Sequence, residues 1–213
     1  MLALLHTSPI HVPVFDALRD EDHPGLVLQH LVDEDLLDRA RREGPQAVTG
    51  AVGAVVARAV ADGARAVLCT CSTIGGAAEA FAAPVPVLRV DRPMAAAAVA
   101  VGPRITVLAT VESTLGPTAA LIDEERRRAG RPGPADVRLV EGAWERFSAG
   151  DPVGSARLVA AAADAVTDAD VIVLAQASMA PAARLTTTNV PVLTSPRPGL
   201  SAAARLALAP REP

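Results

Sequence analysis

The sequence predicts an α/β protein made of two pseudo-symmetric halves, each a mainly parallel sheet flanked by helices. Three observations predict it. Short, nearly continuous Val/Ile/Leu runs recur along the 213 residues, the pattern of parallel strands buried on both faces. Longer Ala-rich helical patterns separate these runs, as a βα alternation requires. The segments of the first half also recur, in the same order, in the second.

The elements follow in chain order. "LALLHT" is a strand entering the turn "SPIHVP", and "GAVGAVVARAVADG" is a helix ending at Gly63. "AVLCT" is the next strand, "GGAAEAFAA" a helix and "VPVLRV" a strand. The second half repeats the alternation with "RITVLAT", "GPTAALIDEERRRAG", "VRLV", "SARLVAAAADAVTD", "ADVIVLA" and "VPVLTS". The run "DEERRRAG" reads as a solvated helix end, with Arg126, Arg127 and Arg128 near the C-terminus where cations are favoured.

The repeat fixes which positions correspond. Aligning "VLCTCSTIGGAAEAFAAPVPVL" with "VLAQASMAPAARLTTTNVPVL" on their shared "PVL" places Pro86 on Pro191, an offset of 105 residues. Cys71 then falls on Gln176, and Thr73 on Ser178. "LLHTSPIHVPVFDAL" matches "VLATVESTLGPTAAL" at an offset near 103, with Thr7 on Thr110, and "LVDEDLLDRARREG" with "LVEGAWERFSAG" is a weaker third pair. The expected division is residues 1–95 plus 197–213 for the first half and 96–196 for the second. The extra helix "GLSAAARLALA" has no counterpart and is expected to return to the first half. Ligands of open parallel sheets bind beyond the carboxyl ends of the strands, so the expected active site is a cleft shared by the two halves.

Composition removes several classes. All 20 basic residues are Arg, which excludes a Schiff-base lysine and a G-x-x-x-x-G-K-[ST] phosphate loop. The net charge of −4 and the near absence of aromatic residues argue against nucleic acid as a partner. "MLALLHTSPI" lacks the features of a signal peptide, and Arg58 and Asp62 interrupt the apolar stretch "AVGAVVARAVADGA", so no membrane association is expected. Two cysteines one residue apart give no disulfide framework, and a reducing cytoplasm is the default compartment. The four His residues show no ligand pairing with Cys69 and Cys71, so no metal is expected.

Four strand-end loops carry the candidate chemistry: "HTSPIH", "CTCST", "ATVEST" and "AQASM". Their hydroxyls, Thr7, Ser8, Ser72, Thr73, Thr110, Ser113, Thr114 and Ser178, precede helical patterns, where hydroxyls and free N–H groups suit a small anion. The competing reading is ordinary N-capping. Cys71 begins a turn next to the "GGAAEAFAA" helix, a position suited to a thiolate. Gly75 and Gly76 permit a tight turn and close ligand approach. Cys69 lies two residues back and is expected to be an inert core residue. His6 and His11 flank the first loop as candidate general bases, and Arg92 is a candidate counter-charge.

"VLCTCSTIGG" resembles the first cysteine motif of the aspartate/glutamate racemase superfamily, Cys-Asn-Thr or Cys-Ser-Thr after a strand. "VDRPM" with "RITVLATVEST" is similar to that family's middle, and "ADVIVLAQASMAPAA" to its second cysteine region. The resemblance covers nearly the whole chain. It implies two Rossmann-like halves, a small carboxylate substrate, no cofactor and a homodimer. It implies Cys71 as the first catalytic thiol, with Thr7, Ser8, Thr73, Thr110, Ser113 and Thr114 around the substrate.

The departure is Gln176, which stands where the second thiol belongs, between Ala175 and the loop residues Ala177 and Ser178. An amide has no acid or base chemistry near neutral pH. Three readings stay open: His6 or His11 is the second base; the chemistry is one-sided, as in a lyase or cis-trans isomerase; or the chain binds a carboxylate without catalysis.

Overall fold

The computed structural model describes residues 1–131 and 133–210. Residues 211–213, at the end of the expected first half, and Pro132 lie outside that description. The chain divides into two compact units, Met1–Val90 with the C-terminal segment from Pro196, and Asp91–Ser195.

In the first unit the strands are β1 (Leu2–His6), β2 (Leu28–Val32), β3 (Ala66–Cys69) and β4 (Val87–Arg89). They form one parallel sheet in the order β2-β1-β3-β4. The helices are α1 (Val12–Asp22), α2 (Asp35–Glu43), α3 (Thr49–Ala61), the five-residue α4 (Gly75–Glu79) and the C-terminal α9 (Pro196–Leu208). The sheet is covered on both faces, because strand side chains alternate between them. Ala3, Leu5, Val67 and Cys69 pack with Val52, Val56 and Ile74 on one face. Leu2, Leu4, Ala66 and Leu68 pack with Phe15, Leu200, Ala203 and Ala204 on the other. The returning helix α9 therefore completes the first core. It comes so close that a Cβ on Gly199 would lie 2.4 Å from the Val90 carbonyl oxygen.

The second unit repeats the plan with β5 (Ile105–Ala109), β6 (Asp136–Leu139), β7 (Val171–Leu174) and β8 (Val192–Thr194), in the parallel order β6-β5-β7-β8. Its helices are α5 (Arg92–Val101), α6 (Glu112–Arg128), α7 (Ala143–Ser148) and α8 (Pro152–Asp164), with a 3-10 helix at Ala177–Arg184. Register verifies the two strong repeat offsets. Leu5 pairs with Cys69 as Leu108 pairs with Leu174, and Cys69 pairs with Arg89 as Leu174 pairs with Thr194. The third pair slips by one residue: Leu31 opposes Leu5, whereas Arg138, not Leu139, opposes Leu108.

Several local expectations change. Strand β2 is additional to the expected elements; its residues are partly buried at a sheet edge and lack a continuous apolar run. The "GGAAEAFAA" helix stops at Glu79. Helix α6 starts at Glu112, ahead of the expected Gly116, and carries Pro117 inside it. Arg126 is not solvated: it is 4% exposed, and its guanidinium donates to the carbonyls of Gly133, Pro134 and Pro103.

Candidate active site

The carboxyl end of the first sheet carries Thr7 and Ser8 after β1, and Thr70, Cys71, Ser72 and Thr73 after β3. The two cysteines share one face of the sheet, as period-two geometry demands, and differ in depth. Cys69 is fully buried in the core and its thiol donates to the Cys71 carbonyl at 3.6 Å. Cys71 is a free, partly exposed thiol packed against the same face. The helix that follows it, α4, has only five residues and begins four positions beyond Cys71.

Gly75 and Gly76 also serve a different end. Neither has a positive φ, so the turn does not require them. Gly75 instead lies where a Cβ would meet the Arg89 Cβ at 2.9 Å, and a Cβ on Gly76 would lie 3.5 Å from Arg89 Nη1. Arg89, at the end of β4, is 5% exposed and its Nη2 donates to the Ser72 carbonyl at 3.4 Å. Arg89 is not among the expected site residues, although it is a charge inside the apolar strand "VPVLRV".

His6 belongs to the opposite face of the sheet from Cys71. It lies beside Phe15, with ring centroids 5.6 Å apart, on the side of Leu4 and Leu68. Its Nδ1 is 2.8 Å from Thr70 Oγ1, and its Nε2 is 2.8 Å from His30 Nδ1. Thr70 donates its own proton to the Leu5 carbonyl, so it accepts from His6 Nδ1–H. His6 Nε2 then accepts from His30, whose Nε2 faces Asp16 Oδ1 at 3.3 Å. Burial, reinforced by His30 and His11, pushes the His6 pKa down to about 3. His6 is thus a buried imidazole with both nitrogens hydrogen-bonded, on the far face of the sheet from Cys71. His11 ends the short 3-10 helix Pro9–His11 and is partly exposed. Burial lowers its pKa to about 4.

In the second unit, Thr110 follows β5 and Gln176 follows β7, two residues beyond Leu174 as Cys71 is two beyond Cys69. The Gln176 carbonyl Oε1 accepts from the Thr110 backbone N–H at 2.6 Å and from Thr110 Oγ1 at 3.1 Å. A backbone N–H only donates, so Oε1 must face it and the amide orientation is fixed. Both Thr110 donors are thereby engaged by Gln176. Thr114 is buried, and the partly exposed Ser113 has its Oγ buried without a partner among the described residues. Ala177 and Ser178 open the 3-10 helix.

The residues at the N-caps of the helices after these loops (Ser8, Ile74, Val111 and Gln176) make no side-chain cap bond. Arg92 is not a free counter-charge, since it pairs with Glu125 at 2.5 Å and Glu124 at 3.0 Å. Among the described residues, no group of three or more His, Cys, Asp and Glu side chains is placed to hold a metal ion, and no helix is long and apolar enough to cross a membrane.

Two four-stranded parallel α/β halves, one with a strand-end thiol and one with a clamped amide at the equivalent position, define a duplicated α/β protein. The chain belongs to the Asp/Glu/hydantoin racemase family, whose description matches residues 12–203. No curated protein matches the sequence. Among solved structures, the aspartate racemase of Picrophilus torridus is similar at a TM-score of 0.73 and 14% identity, over 97% of this chain and 93% of that one. Allantoin racemase from Pseudomonas fluorescens is similar at 0.61 and 19%, over 96% and 89%. A glycine-to-cysteine variant of arylmalonate decarboxylase, in its sulfate-associated form, is similar at 0.65 and 22%, over 97% and 92%.

Proposed function

We propose that this chain is an enzyme that moves a proton at the α-carbon of a small carboxylate, with the Cys71 thiol as its single acid/base and without a cofactor. The observation that carries the reading is the asymmetry of the two equivalent strand ends. Cys71 is a free, partly exposed thiol in a loop rich in hydroxyls. Gln176, its counterpart, is held by Thr110 and has no acid or base chemistry near neutral pH. Racemisation by direct proton transfer needs an acid/base on each face of the carbon, whereas exchange or decarboxylation needs one. In decarboxylation, CO2 leaves with its bonding electrons remaining on the carbon, the Cys71 S–H protonates that carbon, and water returns the proton to sulfur. The developing enolate-like charge falls to hydroxyl and backbone donors of the strand-end loop that carries Cys71.

A second reading, racemisation with His11 as the other base, rests on the place of His11 beside the first strand-end loop; burial lowers its pKa to about 4, which makes it a weak base near pH 7. The relatives named for aspartate, allantoin and arylmalonate set the panel. Incubation in D2O with amino acids, hydantoins and substituted malonates is expected to show Cα wash-in or CO2 release that disappears in Cys71→Ala and persists in Cys69→Ala. An active His11→Ala variant excludes the second reading. No exchange, no turnover and an unreactive thiol across the panel overturn the enzyme reading in favour of a carboxylate-binding protein.

A further inference from the structure

The two units supply an internal comparison. Each ends its third and fourth strands in the same register, Cys69 against Arg89 and Leu174 against Thr194. Each then turns back over the sheet, through "CSTIGG" in the first unit and "QASMAP" in the second. The second makes this arrangement with Thr194, Ala180 and Pro181 at the positions of Arg89, Gly75 and Gly76. The fold therefore does not need a guanidinium there, nor glycines to admit one. Only the thiol-bearing unit has them.

Burying a guanidinium is costly unless its donors are met, and this one is 5% exposed. Neighbouring residues in register share a sheet face, so Arg89 stands beside Cys69 on the face that carries Cys71. Its side chain crosses Gly75 and Gly76, and Nη2 reaches the Ser72 carbonyl, one residue from the thiol. The Cys69 thiol meets the Cys71 carbonyl from below. The loop is thus held at consecutive carbonyls, 71 and 72, by two strand-end side chains.

We propose that Arg89 is a positioning residue for Cys71, and that Gly75 is glycine so that Arg89 can lie across the loop. The function assigned to this arrangement rests on the single-thiol reading. Removing the guanidinium lets the Ser72 carbonyl turn and the thiol leave its set direction, and a misplacement of about 1 Å costs a catalytic geometry roughly a hundredfold.

The test is iodoacetamide labelling of Cys71 in the full chain, followed by peptide mass spectrometry between pH 6 and 9, on wild type, Arg89→Met, Arg89→Lys and Gly75→Ala. Amide exchange is measured in parallel. Arg89→Met and Gly75→Ala are expected to change the Cys71 labelling rate roughly tenfold or more. Faster amide exchange is expected at residues 71–76, with β1 and β3 still protected. Arg89→Lys is expected to recover most of the labelling change. On any substrate that turns over, Arg89→Met lowers kcat and leaves KM within about twofold.

Wild-type labelling in a folded Arg89→Met chain overturns the proposal, as does loss of protection throughout the first unit. If Arg89→Met does not fold, Gly75→Ala decides alone, since it keeps the guanidinium but displaces it. A chain inactive on every substrate sinks the functional reading yet leaves the labelling result to decide the role of Arg89.

Discussion

The buried His6 makes a quantitative prediction about acid stability. In the folded chain its pKa is about 3, whereas an unfolded chain leaves a histidine near 6.5. As pH falls below 6.5 the unfolded state takes up a proton that the folded state refuses, so stability falls until the folded pKa is reached. Each pH unit in that window costs about 1.36 kcal/mol. The loss attributable to His6 is then about 1.4 kcal/mol at pH 5.5 and about 2.7 kcal/mol at pH 4.5, a large part of the ~5–15 kcal/mol of a typical domain. The perturbation is His6→Gln. It keeps one donor for Thr70 Oγ1 and one acceptor for His30 Nδ1, but does not titrate. Urea unfolding at pH 7.5, 5.5 and 4.5 measures both proteins. The wild type is expected to lose about 2.7 kcal/mol more than the variant between pH 7.5 and 4.5. His11, also lowered by burial, to about 4, is present in both and cancels to first order. Parallel pH curves refute the reasoning: His6 is then either accessible to protons in the folded chain or partnered differently.

Other expectations follow from the same contacts. Gly199→Ala places a methyl against the Val90 carbonyl and should destabilise by about 2–3 kcal/mol in chemical denaturation; an unchanged midpoint means α9 does not dock as described. Arg126→Met leaves three carbonyls without their shared donor and should cost about 2–4 kcal/mol by the same assay, while Arg127→Met, outside this network, changes it by less than about 0.5 kcal/mol. Thr110→Val removes one of the two bonds on Gln176 Oε1. It should lower turnover several-fold with a shift in melting temperature of under about 4 °C; wild-type turnover means that the amide's orientation is not used.

The alternation of apolar runs with helical patterns was enough to give both parallel sheets, because a buried strand or an amphipathic helix is encoded within a few consecutive residues. The repeat offsets, and with them the pairing of Cys71 with Gln176, were legible because duplicated segments keep their order and spacing. Position separated Cys69, inside the strand, from Cys71, in the turn beyond it on the same face. The edge strand β2 escaped, since a half-buried strand carries no continuous apolar run. Only the tertiary structure decided the neighbours across the sheet. His6 and Cys71 lie close to equivalent strand ends in the sequence, but the register, Leu5 against Cys69, puts His6 on the other face, where His30 and Thr70 bond it. Gln176 read as the loss of a thiol until Thr110 was seen to fix its orientation. Gly75 and Gly76 suggested a turn, yet what they accommodate is Arg89, brought over them by strand pairing. The physical reason is the range of the forces involved: backbone periodicity is set locally, whereas the partner of a buried polar group depends on which distant segment the register places beside it.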